Sequence, residues 1–187
     1  ASTLEFMKIA EQVFPPGVVN VVTGFGGEAG SPLVDHPKVV KVAFTGSDAT
    51  GSAIYAQAAK HMKKVTMELG GKSPLIIHED ADLDAAVAAA QVGVFFNQGQ
   101  VCTASSRIFV HERVYDQFVD KLVAATRKRK QGNPFKDVNM GPQVSSEQQE
   151  MVWNYIKTGK REGANCVIGG KQVEESGYFI QPTIFTD

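Results

Sequence analysis

Three short runs of branched and apolar residues, two of them closed by glycine, leave few folds open to the first seventy residues. Residues 18–22 read Val-Val-Asn-Val-Val, residues 39–44 Val-Val-Lys-Val-Ala-Phe, and residues 65–67 Val-Thr-Met. Each is too short for an independent helix, and β-branched runs bounded by turn residues read as strands buried on both faces. Between the second and third lies a helical stretch, residues 48–62, entered through Thr45-Gly46-Ser47. Strand, helix, strand with short glycine turns is the pattern of a parallel, doubly wound α/β sheet. Ligands of such sheets bind where strands end and helices begin, which directs attention to Thr45-Gly46-Ser47.

The same alternation restarts after Gly70-Gly71, which sets the expected boundary between a first piece, residues 1–70, and a second, residues 71–187. The second piece predicts a strand at 75–78, an Ala-rich helix at 82–96, a loop at 97–101 and a strand at 107–110. A long helix at 112–130 and another at 145–162 follow, then strand-like segments at 167–170 and 178–185 around a turn. Near the start, Ser2 and Glu5 stand at the spacing of a capping box, predicting a helix that Pro15-Pro16-Gly17 stops. Gly24, Gly26, Gly27 and Gly30 predict a permissive turn leading into a short helix.

With 187 residues, 43% of them hydrophobic, the chain is long enough to bury a core. A net charge of −1 gives no sign of the basic field that nucleic acid or an anionic membrane surface would demand. The one basic run, Arg127-Lys128-Arg129-Lys130, reads as cations closing a helix at its negative end, with a partner-binding patch as the alternative. No stretch approaches the roughly 20 apolar residues of a membrane span, and the N-terminus lacks the layout of a secretion signal. Two cysteines imply no disulfide framework and point to a reducing compartment, cytoplasm or mitochondrial matrix.

Three segments carry possible chemistry. Cys102 follows a helix and the Gly-containing loop Asn97-Gln98-Gly99-Gln100-Val101, and precedes the small residues Thr103-Ala104-Ser105. It reads either as a presented nucleophile, whose thiol must then be activated, or as a buried structural cysteine. Glu68 ends a strand just before two glycines. It is either a general base beside mobile backbone or a capping or salt-bridged acid next to Lys72. Thr45-Gly46-Ser47 with Gly51 offers backbone donors at a helix N-terminus to a phosphate, or simply a helix cap. Its spacing is not the Gly-x-Gly-x-x-Gly fingerprint.

Taken in order, the segments resemble the aldehyde dehydrogenase superfamily. Met67-Glu68-Leu69-Gly70-Gly71-Lys72-Ser73-Pro74 resembles that family's glutamate signature. Phe95-Phe96-Asn97-Gln98-Gly99-Gln100-Val101-Cys102 resembles its cysteine signature, with Cys102 34 positions after Glu68. Phe44-Thr45-Gly46-Ser47 is similar to the coenzyme-phosphate turn, and residues 14–20 and 177–183 extend the likeness across nearly the whole chain.

The resemblance implies a Rossmann-like coenzyme-binding portion over residues 1–70 and the start of a catalytic portion over residues 71–187. It implies Cys102 as the nucleophile that forms a thiohemiacetal and then a thioester, and Glu68 as the base that activates water to hydrolyse it. Thr45, Gly46, Ser47 and Gly51 would meet the coenzyme, NAD in preference to NADP, and the Leu69 carbonyl its nicotinamide amide. Phe96, Val101 and Thr103 would line the aldehyde's approach, and the Cys102 N–H would help hold the oxyanion. No metal is implied. The full-length relatives are implied to be homo-oligomers, dimers or tetramers.

Family subunits are more than twice this length, so the chain is expected to be a central fragment. It would lack the adenosine-ribose positions, the oxyanion asparagine, the nicotinamide-ribose glutamate and the strand that joins subunits, and is expected to be inactive alone. Two other readings belong to the same resemblance. One is an acylating semialdehyde dehydrogenase that hands the acyl group to coenzyme A, which Glu68 argues against. The other is a non-enzymatic relative like the lens crystallins, which Cys102 and Glu68 together argue against. A hydrolase using Cys102 is more distant, since no histidine stands near either signature.

Overall fold

The computed structural model describes residues 2–173 and 177–186. The chain divides into two compact units, Ala1–Leu69 and Gly70–Asp187.

In the first unit, helix α1 (Ser2–Ala10) opens the chain. Ser2 lies within the helix, and Glu5 accepts from Lys8 Nζ at 2.7 Å, one turn on. The helix ends at Ala10, a few residues short of Pro15-Pro16. Residues 18–22, expected to be a strand, form none. Their side chains stand exposed, Val18 by 63% and Val22 by 68%, and among the described residues no strand pairs with them. A branched run becomes a strand only when a neighbour takes up its backbone groups.

A π-helical turn (Gly26–Gly30) leads directly into α2 (Ser31–Asp35), so the glycine-rich stretch does feed a short helix. Then come β1 (Lys41–Thr45), α3 (Asp48–Ala59) and β2 (Lys64–Glu68). The two strands pair in parallel, with Val42 opposite Val65 and Thr45 opposite Glu68. That is the strand–helix–strand unit the glycine turns predicted. The register brings both C-terminal ends to the same edge.

The second unit repeats the arrangement. Strand β3 (Pro74–Ile77) is followed by α4 (Leu83–Phe95) and β4 (Arg107–Val110), and β3 and β4 pair in parallel. Asp82 caps α4, its carboxylate accepting from the amides of Asp84 and Ala85 at 3.0 and 3.1 Å. Helix α5 (Tyr115–Arg127) lies against α4. Ile77, Ala86, Val87, Ala90, Phe118 and Leu122 form the core between sheet and helices. The basic run marks the end of α5: Arg129 reaches the Gln91 side chain at 2.7 Å and Lys130 pairs with Asp137 at 3.1 Å.

Helix α6 (Ser146–Arg161) is capped by the Ser145 hydroxyl, which accepts from Gln148 N–H at 3.2 Å. The same cap residue holds the Glu147 carboxyl below the usual carboxylate range. Strands β5 (Asn165–Ile168) and β6 (Ile184–Thr186) pair antiparallel. The turn expected between them includes residues 174–176, which lie outside the described residues. Of residues 178–183, only Ile180 takes part in a bridge, with Gln172. Among the described residues no helix is long and apolar enough to cross a membrane.

Candidate active site

Each unit gathers part of the residues singled out in the sequence. In the first unit, Thr45, Gly46, Ser47, Gly51, Glu68 and Leu69 come together at the C-terminal edge of β1 and β2. The pairing of Thr45 with Glu68 puts the acid directly across from the turn. The Gly46 N–H donates to the Glu68 carbonyl at 3.0 Å, extending the ladder by one rung beyond the strands. Glu68 is exposed.

Ser47 is the N-cap of α3. Its hydroxyl accepts from Thr50 N–H at 3.3 Å and donates to Thr50 Oγ1 at 3.0 Å. The Gly51 N–H donates to the Ser47 carbonyl at 2.8 Å, closing the first turn of the helix. With the hydroxyl proton given to Thr50, the group left on Ser47 for an anion is its amide. Residues 45–50 are all exposed, and the leading amides of a helix have no partner within it. A twelve-residue helix opened by an exposed Gly-Ser turn fits a phosphate group.

Gly51 is buried, and a Cβ placed on it would come within 2.5 Å of Leu69 Cδ2. The absence of a side chain at Gly51 is what lets Leu69 lie against α3.

In the second unit, the chain leaves α4 through a tight turn, Phe96–Gly99. Asn97 (φ 49, ψ 38), Gln98 (φ 58, ψ 26) and Gly99 (φ 77) are all left-handed. Each non-glycine residue held so costs about 1–2 kcal/mol, and Gln lacks even the modest tolerance of Asn. Hydrogen bonds hold the turn. The Asn97 carbonyl accepts from the Gln100 amide at 3.0 Å and from Gln100 Nε2 at 3.3 Å, while Asn97 Nδ2 donates to the Gln100 carbonyl at 3.1 Å.

Cys102 sits just beyond this turn and is exposed. That favours the presented thiol over the buried structural cysteine in the residues described. Ala104 N–H donates to the Val101 carbonyl at 3.0 Å and Ser105 N–H to the Gly93 carbonyl at 2.8 Å, so the chain is fixed again immediately after the thiol. Phe96 and Thr103 are exposed beside it, and Val101 is half-buried. Gly71 approaches from the other side: a Cβ there would lie 2.6 Å from the Cys102 carbonyl oxygen. Lys72, the possible salt-bridge partner of Glu68, gives its Nζ to the Gly71 carbonyl at 3.4 Å, and its own carbonyl accepts from Arg107 Nε at 2.8 Å.

Gly71 and Gln100 shape this loop. Both stand within the two signature segments, but neither was assigned a role of its own from sequence. Among the described residues no three His, Cys, Asp or Glu side chains gather as a metal site would require.

Comparison with known proteins agrees across the chain. The model of the aldehyde dehydrogenase family matches residues 1–187. A mitochondrial aldehyde dehydrogenase of Homo sapiens is 52% identical over 181 residues, 96% of this chain and 35% of that protein. The chloroplastic betaine aldehyde dehydrogenase of Atriplex hortensis is 48% identical over 188 residues, 98% of this chain and 38% of that protein. An NAD+ complex of an aldehyde dehydrogenase from Bacillus cereus superposes with a TM-score of 0.96 at 50% identity, covering 100% of this chain and 38% of the other. The chain thus spans little more than a third of the length of the relatives it matches.

Proposed function

The chain belongs to the aldehyde dehydrogenase family, and from that premise we propose that the full-length protein oxidises an aldehyde to the carboxylic acid with NAD as coenzyme. Cys102 is the nucleophile and Glu68 the general base. The observation that carries this reading is the exposed Cys102 thiol, presented at the end of a left-handed turn and fixed on both sides.

Bound coenzyme supplies the hydride acceptor. The amides of Gly46 and Ser47 at the head of α3 hold its pyrophosphate, with Thr45 beside them. Gly51 keeps Leu69 in place so that the Leu69 carbonyl can receive the nicotinamide amide. Cys102 gives its thiol proton to Glu68, which passes it to solvent, and Sγ attacks the aldehyde carbon, with the Cys102 N–H one donor to the oxyanion that forms. The same sulfur carries the acyl group as a thioester once the carbon is oxidised. Glu68 takes a proton from water, which cleaves the thioester and frees the acid and the thiol. Phe96, Val101 and Thr103 flank the aldehyde.

The chain covers 38% of the NAD+-bound relative, and we infer that alone it binds coenzyme weakly and is inactive. We place the full-length enzyme in the cytoplasm or the mitochondrial matrix, as a homo-oligomer. The relative from Homo sapiens is named mitochondrial and that from Atriplex hortensis chloroplastic. The test is turnover of the full-length protein across a panel of aldehydes with NAD and with NADP, in wild type and Cys102→Ala. Loss of dehydrogenase activity in Cys102→Ala supports the reading. Retained activity removes it, and acyl-coenzyme A as the main product would replace the hydrolytic step.

A further inference from the structure

We propose that Gln100 is a positioning residue for Cys102, tying the left-handed turn that carries the thiol to the segment 140–144. The inference rests on the assignment of Cys102 as nucleophile.

All four polar atoms of Gln100 are engaged. Its amide, carbonyl and Nε2 bond to Asn97, at 3.0, 3.1 and 3.3 Å, and its Oε1 accepts from the Val144 N–H at 3.1 Å. Gln100 is thus both the clasp that closes the strained turn and its link to a segment 44 residues away. With its carboxamide oxygen turned towards Gly141, Gln98 accepts from the Gly141 N–H at 3.1 Å, a second tie to the same segment.

That segment is itself held firmly. Met140 N–H donates to the Lys130 carbonyl at 3.2 Å, Gly132 N–H to the Met140 carbonyl at 3.1 Å, and Gln143 N–H to the Tyr178 carbonyl at 2.8 Å. Met140 and Gln143 are 5% and 4% exposed, so the buried part of the segment anchors the exposed Val144 that follows it. Two residues beyond Gln100, Cys102 stands between this tie and the bond from Ser105 N–H to the Gly93 carbonyl. A left-handed Gln98 would relax if released, because nothing in its own chemistry favours that backbone. The position of the sulfur then depends on a side chain that does not touch the substrate.

Two variants of the full-length enzyme separate the two halves of the tie. Gln100→Leu removes both the acceptor for Val144 and the donor to Asn97. Gln100→Glu keeps the acceptor and loses the donor. We expect kcat to fall on the order of tenfold to a hundredfold in Gln100→Leu, the scale of a misplaced reacting group, and less in Gln100→Glu. KM for aldehyde, NAD affinity and melting temperature should stay close to wild type. Hydrogen exchange at the Val144 amide should quicken in Gln100→Leu and remain slow in Gln100→Glu.

A folded Gln100→Leu enzyme with kcat within twofold of wild type overturns the proposal. So does a fall in kcat matched by equal losses in NAD affinity and melting temperature. Should Gln100→Leu fail to fold, Gln100→Glu decides by the same kinetic criteria. Cys102→Ala run in parallel keeps two failures apart: if it retains turnover, the nucleophile assignment falls and this inference with it. If it abolishes turnover while Gln100→Leu changes nothing, only the positioning role falls.

Discussion

The backbone of Gly71 lies so close to that of Cys102 that a Cβ on Gly71 would sit 2.6 Å from the Cys102 carbonyl oxygen. Real side chains do not approach a backbone oxygen that closely, and a carbonyl cannot swing aside as a side-chain tip can. Gly71→Ala must therefore shift the peptide that follows the nucleophile. We expect a loss of about 1–3 kcal/mol in stability, the usual range for overpacking, and a changed alkylation rate of Cys102 by iodoacetamide. Wild-type stability together with a wild-type thiol rate would show that the loop absorbs a methyl group freely.

Gly51→Ala presents the opposite case, because its near neighbour is the flexible end of Leu69, with Cδ2 at 2.5 Å from the added carbon. Leu69 can rotate away, and alanine raises helix propensity by roughly 1 kcal/mol over glycine. Chemical denaturation should show a change of no more than about 1 kcal/mol in either direction. Coenzyme affinity of the full-length enzyme should nonetheless weaken if the Leu69 side chain packed on α3 is what seats the Leu69 carbonyl proposed for the nicotinamide amide. Unchanged NAD affinity in Gly51→Ala would speak against that assignment.

Glu68→Gln keeps the size of the side chain and removes its basicity. If Glu68 activates the hydrolytic water, acylation should proceed and deacylation stall. The variant should accumulate a thioester on Cys102, seen as a mass increase on the intact protein that disappears in the double variant with Cys102→Ala. Fast turnover without any adduct would remove Glu68 from the mechanism.

Asp35 offers a check on the first unit by itself. Its carboxylate bonds His61 Nε2 at 2.9 Å, and that hydrogen bond holds its pKa below the ordinary carboxylate value. A depressed folded-state pKa contributes stability above the unfolded-state pKa, and the contribution is lost as pH falls through the folded-state pKa. His61→Ala should raise the Asp35 pKa towards its ordinary value and flatten this acid dependence. NMR titration of the Asp35 carboxyl carbon measures it directly, and an identical midpoint in both proteins would count against the pairing.

The elements that the sequence made legible are those whose signals are local. The helices expected at 82–96 and 145–162 form as α4 and α6, capped by Asp82 and Ser145, because capping needs only one side chain and the next few amides. The branched runs around Val42 and Val65 predicted β1 and β2, and each did find the other. Residues 18–22 carry the same pattern and make no strand, because pairing is a property of two segments and periodicity describes one.

The loop before Cys102 shows a second limit. Gly99 advertises a left-handed backbone, whereas Gln98 adopts one against its own preference. The Asn97–Gln100 bonds within the turn and the long-range bond from Val144 N–H to Gln100 hold it there. The two signature segments drew attention to Cys102 and Glu68 through resemblance. The close approach of Gly71 to the Cys102 carbonyl and the tie of Gln100 to Val144 are contacts between segments, which no single stretch of sequence displays.

The extra rung from Gly46 to Glu68 has a mechanical meaning. It ties the backbone of the turn to the backbone of Glu68, so the two peptides shift together. If the proposed roles hold, loosening at residue 46 should register twice, once in how firmly the coenzyme is gripped and again in how fast the acyl group departs, even with coenzyme at saturation.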